Sequence, residues 1–142
     1  MAKPTILLVE DNLGDQRLVR EAFGKTKIDA DLQIVCDGVE ALDYLKRRGE
    51  FKHAARPQLI ILDLNVPKKD GREVLGEIKG DPGLKRIPVV VFTTSKSTED
   101  ISRCYDLHAN CFISKPADLD EFFSGIQALA DFWFRVVELP QV

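Results

Sequence analysis

At 142 residues, with 44% hydrophobic and 30% charged residues, the chain has the composition of an ordinary folded domain and the length for one sizeable core. A formal net charge of -3 supplies no global basic field for nucleic acid, and no apolar run approaches the roughly 20 residues that span a bilayer. Met1-Ala2-Lys3-Pro4 leads straight into a strand-like run with no room for a signal peptide, and Cys36, Cys104 and Cys111, odd in number and without a close C-x-x-C pair, read as reduced thiols of a cytosolic protein.

Ile6 to Val9 is a buried-strand run that ends in Glu10-Asp11-Asn12, and Asn12 can cap a helix over Leu13 to Phe23. Gly24 suits its stop. Leu32 to Cys36 reads as a second strand, Asp37-Gly38 as a turn, and Val39, Ala41, Leu42 and Leu45 as a short second helix. Lys46 to Pro57 is a basic, irregular connection. Leu59 to Leu62 is an unbroken apolar run that stops abruptly at Asp63 and a Pro/Lys/Asp/Gly loop, as a strand buried on both faces does. A third helix over Gly71 to Lys79 is broken by Gly80-Asp81-Pro82-Gly83. Pro88 to Phe92 is the fourth strand, ending in Thr93-Thr94-Ser95. Ser97 or Thr98 can cap a fourth helix, with Glu99 and Asp100 in a first turn whose dipole favours acids. Cys111 to Ile113 is a short fifth strand before Ser114-Lys115-Pro116. Asp118 can cap a long final helix reaching about Val137. His53 and His108 are isolated and read as surface or loop residues.

Strands alternating with helices predict an α/β, doubly wound five-stranded parallel sheet with right-handed crossovers in a single domain over 1–142. In such a sheet the residues after strands one, three, four and five collect on one edge, where ligands bind. Those residues are Glu10-Asp11, Asp63, Thr93 and Lys115. Carboxylates at one point repel each other unless a cation sits between them. Hard oxygen donors suit Mg²⁺, and with one ammonium and one hydroxyl they make the parts of a phosphoryl-transfer site. Asp63, single and at the end of the central strand, is the candidate nucleophile for an aspartyl phosphate, and Glu10 and Asp11 are candidate metal ligands. An ordinary ion-pair cluster at a sheet edge is the plain structural reading of the same residues.

At these residues the chain resembles the response-regulator receiver domain, the CheY-like family, from Pro4 to about Leu129. The combination is an acidic pair after strand one, Asp63 with Pro67 and Gly71 behind it, Thr93 after strand four and Lys115-Pro116 after strand five. The resemblance implies a flavodoxin-like fold with strand order 2-1-3-4-5 and phosphorylation of Asp63 by a histidine kinase or a small acyl phosphate. It implies Mg²⁺ on Asp11, Asp63 and the backbone carbonyl of Asn65, with Glu10 acting largely through water, and Lys115 paired with the phosphoryl group. It also implies a cis bond before Pro116, and a switch in which Thr93 moves towards the phosphoryl group while Phe112 on strand five turns inward. Plain core packing is the other reading of Phe112. Thr94 stands where the family usually has a small residue. Asn65 and Ser95 stand where the family tunes hydrolysis of the acyl phosphate.

The Lys46–Pro57 connection is longer than usual for the family, and the final helix is apolar on more than one face, which calls for a second partner. With the Phe-Trp-rich tail, these features look like the stand-alone response regulators paired with bacterial and cyanobacterial phytochromes. That resemblance implies a phytochrome-type kinase as partner, no output domain, and a homodimer through the face of strands four and five and the final helix. Phe122, Phe132, Trp133 and Phe134 are the candidate interface residues; packing back on their own domain is the alternative. Two other functions remain open on sequence: a Mg²⁺-dependent phosphohydrolase forming an aspartyl phosphate, for which Asn65 stands where a second acid is wanted, and an adaptor that takes no phosphate.

Overall fold

The computed structural model describes residues 3–141. The apolar runs form one parallel sheet in the order β2-β1-β3-β4-β5, from β1 (Thr5–Val9), β2 (Asp31–Val35), β3 (Leu59–Leu62), β4 (Val89–Thr93) and β5 (Cys111–Ser114). β1, β3 and β4 are buried along their whole length, as strands covered on both faces must be. The helices are α1 (Leu13–Gly24), α2 (Gly38–Leu45), α3 (Gly71–Gly80), α4 (Thr98–Asp106) and α5 (Leu119–Asp131). α1 and α5 cover one face over a core that includes Ile6, Val19, Ile61, Phe92 and Ile126. α2, α3 and α4 cover the other over Leu7, Leu42, Leu62, Leu75 and Val91.

The register brings the carboxyl ends of the strands level. Val9 pairs with both Val35 and Leu62, Leu62 with Val91, and Thr93 with Ser114. Each of the residues that punctuate the strand ends therefore emerges on the same rim. Asn12, Asp37, Asp70, Ser97 and Asp118 cap the five helices with their side-chain oxygens. Asp37 is thus a helix cap as well as a turn residue.

Three sequence expectations change in detail. The connection after α2 is not loose. It holds a 3₁₀ turn at Gly49–Phe51, and the Phe51 ring packs on Tyr44 at 5.5 Å. The Tyr44 hydroxyl donates to the Ala55 carbonyl at 3.0 Å, and the Arg56 guanidinium donates to the Leu45 carbonyl at 2.7 Å. The final helix is α-helical only to Asp131. It then widens into a π-helical turn over Phe132–Val136, closed by the Val137 N–H on the Phe132 carbonyl at 3.0 Å. The wider turn tucks Trp133 and Phe134 partly under the domain and leaves Phe132 outside, 49% exposed. Phe122, a candidate interface residue, packs back on its own domain. It is 4% exposed and meets Phe92 edge-on at 5.2 Å, because its position on α5 faces the sheet. None of the helices among the described residues is long and apolar enough to cross a membrane. The three cysteines are free thiols, and His53 and His108 are exposed. His108 closes α4 with a positive φ of 71°, its N–H on the Tyr105 carbonyl at 2.9 Å.

Candidate functional site

β1 ends in a hydrogen bond from the Glu10 N–H to the Val35 carbonyl at 3.0 Å, and β3 in one from the Asp63 N–H to the Val9 carbonyl at 3.0 Å. These bonds fix the two acids side by side at the strand ends. One oxygen each from Glu10, Asp11 and Asp63 lies within 4.8 Å of the others. Glu10 is 1% and Asp63 6% exposed, whereas Asp11 faces solvent. β5 delivers Lys115 to the same place, tied by its N–H to the Thr93 carbonyl at 2.6 Å. The ammonium donates to Glu10 Oε1 at 2.6 Å, Asp15 Oδ2 at 2.8 Å and Asp63 Oδ2 at 3.0 Å. Asp63 Oδ1 accepts from the Asn65 N–H at 3.2 Å, so the acid is held from both sides.

Burial pushes the Glu10 carboxyl up to about 7; the bond and the charge of Lys115 pull it down and the Asp63 charge adds to the rise. At Lys115 burial works to lower the value, and the bonds to Asp15 and Glu10 overcome it, so the ammonium titrates above its ordinary range. The site therefore holds one firm positive charge beside a Glu10 carboxylate that desolvation disfavours.

Thr93 is fully buried, and its Oγ1 is a buried side-chain atom without a hydrogen-bond partner. A buried orphan hydroxyl costs on the order of 1–3 kcal/mol, and it stands at the end of β4, beside β5 and Lys115. Behind the site, Gly71 opens α3 against the backbone of Asp63 and Leu64. A Cβ there would lie 2.4 Å from the Asp63 carbonyl oxygen. Thr94 lines the cleft in front with Asp15, Lys96, Lys115 and Pro116. The Ser95 hydroxyl donates to Asp100 Oδ2 at 2.7 Å. Phe112 is half-buried and packs on the α2–α3–α4 core.

The structure thus brings together Glu10, Asp11, Asp63, Thr93 and Lys115, as the alternation of strands and helices predicts. Two points differ. The bond before Pro116 is trans, the form that X-Pro bonds prefer by about 0.5–1 kcal/mol when nothing imposes the other. Asp15 is a direct partner of Lys115 that sequence reading misses. It sits three residues after the Asn12 cap, and its N–H bonds Asn12 Oδ1 at 2.9 Å, so its position reads as ordinary capping. The available signal was its place in the first turn of the helix that rises from the carboxyl edge.

A parallel 2-1-3-4-5 sheet with this acid cluster and lysine at its carboxyl edge defines a class, and comparison with known proteins agrees with it. The response regulator receiver domain matches residues 6–127, and the chain belongs to that family. It is 50% identical over 135 residues to the response regulator Rcp1 of Synechocystis sp., covering 95% of this chain and 92% of Rcp1. The crystal structure of the Mn²⁺-bound form of Rcp1 superposes with a TM-score of 0.94 at 49% identity, over 97% of this chain and 99% of that one. The phosphorylated cyanobacterial phytochrome response regulator RcpA superposes with a TM-score of 0.95 at 51% identity, over 99% and 100% of the two chains.

Proposed function

We propose that this receiver is a stand-alone response regulator, phosphorylated on Asp63 by a histidine kinase of the phytochrome type with Mg²⁺ bound. The observation that carries the reading is the Lys115 ammonium, 3.0 Å from Asp63 Oδ2, beside a three-carboxylate cluster and an unpartnered Thr93 hydroxyl. An Asp63 oxygen attacks phosphorus, and the bond from phosphorus to the histidine nitrogen breaks, its electron pair returning to the imidazole. Lys115 and Thr93 then hold phosphoryl oxygens, the first by charge and the second with the hydroxyl left free in the resting chain. The donor set of hard oxygens fits a divalent cation, which Asp11, Asp63 and the Asn65 carbonyl would hold, with Glu10 through water, to offset charge on the phosphoryl oxygens.

Capture of the phosphoryl group draws Thr93 towards it and biases β4 and β5 to a second arrangement in which Phe112 packs deeper. The signal passes through protein contacts in the cytoplasm rather than by turnover of a substrate. The match to Rcp1 and RcpA along nearly their full lengths supports both the stand-alone role and the phytochrome pairing. A homodimer is part of the proposal. Its support is the apolar groove of about 680 Å³ between β5 and the final helix, lined by Cys111, Ile113, Leu129, Phe132, Trp133 and Val137. Phe134 packs behind it on the α1–α5 core.

The test is intact mass after incubation with acetyl phosphate and Mg²⁺, for the wild type and Asp63→Asn. One added phosphoryl group, absent from the variant, is expected. An adduct that survives in the variant would place the acceptor elsewhere, and no adduct in either, from acetyl phosphate or a phosphorylated kinase, would point to an adaptor that takes no phosphate.

A further inference from the structure

An ammonium has three N–H donors. At Lys115 all three are occupied by carboxylates: Glu10 at 2.6 Å, Asp15 at 2.8 Å and Asp63 at 3.0 Å. A phosphoryl group on Asp63 takes over the bond that Asp63 Oδ2 accepts, and its added negative charge draws on a second donor, which Glu10 or Asp15 must give up. Glu10 cannot leave easily. It is 1% exposed, and its second oxygen accepts the Asn12 N–H at 3.1 Å. Asp63 itself carries the group. Asp15 differs from both: its side chain is 25% exposed and rims the open cleft shared with Thr94, Lys96 and Pro116. Its carboxylate can turn into water at little cost. Nor does it belong to the Glu10–Asp11–Asp63 cluster that gathers within 4.8 Å.

Resting on the reading of Asp63 as phosphoacceptor, we infer that Asp15 is a positioning residue: it parks the Lys115 ammonium over Asp63 in the resting chain and is the partner that Lys115 exchanges for a phosphoryl oxygen. Two consequences follow from its place. Asp15 competes with the phosphoryl group for Lys115, so it weakens the phosphorylated state. Its charge at the cleft mouth also opposes an incoming phosphodonor dianion. A merely structural acid at this point of α1 would serve the helix dipole and would affect neither.

The experiment measures beryllofluoride binding to the full chain in Mg²⁺ for the wild type, Asp15→Asn and Asp15→Glu, together with the salt dependence of labelling by acetyl phosphate. Asp15→Asn keeps the side-chain shape and removes the charge. It is expected to bind beryllofluoride about three- to fivefold tighter, the range a partly exposed charge pair reaches, and to label faster with a flatter response to salt. Asp15→Glu, which restores the acid, is expected to stay near the wild type. Unchanged or weaker beryllofluoride binding by Asp15→Asn, beside a wild type that binds, would overturn the inference and leave the phosphoacceptor reading intact. A wild type that does not bind would overturn both. Thermal unfolding of the same variants separates the two roles, since a dipole role lowers Tm in Asp15→Asn without moving beryllofluoride affinity.

Discussion

Among the described residues two cations are each held by more than one carboxylate, and they differ in almost everything else. Lys115 lies at the carboxyl edge with a side chain 6% exposed, bonded to Glu10, Asp15 and Asp63. Arg72, in the first turn of α3, is 17% exposed. It forms a fork on Asp100, Nε to Oδ1 at 2.9 Å and Nη2 to Oδ2 at 2.8 Å, and a third bond to Asp70 at 2.9 Å. The fork ties α3 to the first turn of α4, and Ser95 joins it from the loop between β4 and α4. Planar guanidinium suits that fixed, bidentate task, whereas a point-charge ammonium can exchange partners. Burial supplies the other difference. At Glu10 it outweighs the neighbouring cation and raises the carboxyl, while at Asp100 the Arg72 bond comes first and lowers it. The same pairing of charges is therefore a poised site in one place and a clamp in the other.

The comparison is most easily broken by removing the buried cation. Lys115→Ala leaves Glu10 and Asp63 facing each other without a counter-charge, and breaking a buried pair costs about 3–5 kcal/mol. With EDTA, urea unfolding is expected to show a loss near the lower end, about 3 kcal/mol, since Glu10 escapes part of the penalty by taking a proton. Mg²⁺ is expected to restore more stability to this variant than to the wild type. A variant as stable as the wild type in EDTA would mean that the acids are screened by water.

Gly71 joins the two regions, and its replacement tests whether they are mechanically linked. A Cβ at Gly71 meets the Asp63 carbonyl oxygen at 2.4 Å and the Leu64 Cα at 2.6 Å, on the backbone that carries the acceptor. Gly71→Ala is expected to lower stability by about 1–3 kcal/mol. Because Arg72 is the next residue, it is also expected to weaken beryllofluoride binding. Unfolding and binding measured on the same protein check both effects.

Gly71 also marks how far the sequence could be read. Apolar runs with abrupt polar ends mark all five strands within a residue or so. β1, β3 and β4 are buried on both faces, which leaves little choice of composition. The part-buried edge strands β2 and β5 are marked by their short apolar runs and flanking turn residues. The level ends of a parallel sheet then placed Glu10, Asp11, Asp63, Thr93 and Lys115 together without further information. What could not be read depends on side-chain direction. Asp15 and Asp100 both occupy helix first turns, where a dipole explanation is sufficient, and only the folded chain shows that each carboxylate leaves its helix for a cation on another element. Phe122 and Phe132 likewise share a helix and a hydrophobic pattern. A π-helical turn after Asp131 turns the second outwards while the first stays on Phe92. A shift of one residue per turn lies below what periodicity resolves.

The clamp should give way more gently. Arg72→Ala, with Asp100→Asn and the double variant, is expected to yield a coupling of about 1 kcal/mol, at the upper end for a partly exposed pair because the geometry is bidentate. Urea unfolding of the four proteins measures it, and the coupling is expected to shrink at high salt, whereas the Lys115 effect is not. A coupling as large as the loss in Lys115→Ala would show that exposure does not separate the two clusters.

The acid limb of Asp100 is the smallest effect, and set beside Glu10 it tells the clusters apart by sign. Asp100 is held below its ordinary value of 3.8 by the Arg72 fork, then by the Ser95 hydroxyl. A depressed carboxyl contributes stability that is present above the unfolded value and is lost as pH falls through the folded one. The clamp therefore weakens only below about pH 4. Arg72→Ala should flatten that acid limb by a fraction of a kcal/mol. Glu10 runs the other way. Its carboxyl is raised to about 7, foremost by burial, so the folded chain takes up the proton more readily than the unfolded one. Its favourable contribution is present below its ordinary value of 4.5 and is lost as pH rises through about 7. Unfolding free energies in EDTA between pH 3 and 8 should show both limbs, with Arg72→Ala altering only the acid one and Glu10→Gln only the neutral one. A neutral limb that survives in Glu10→Gln would assign the titration to another acid of the edge. A divalent cation should offset it in the wild type towards neutral pH, where the deprotonated cluster binds the ion and binding stabilises the folded chain.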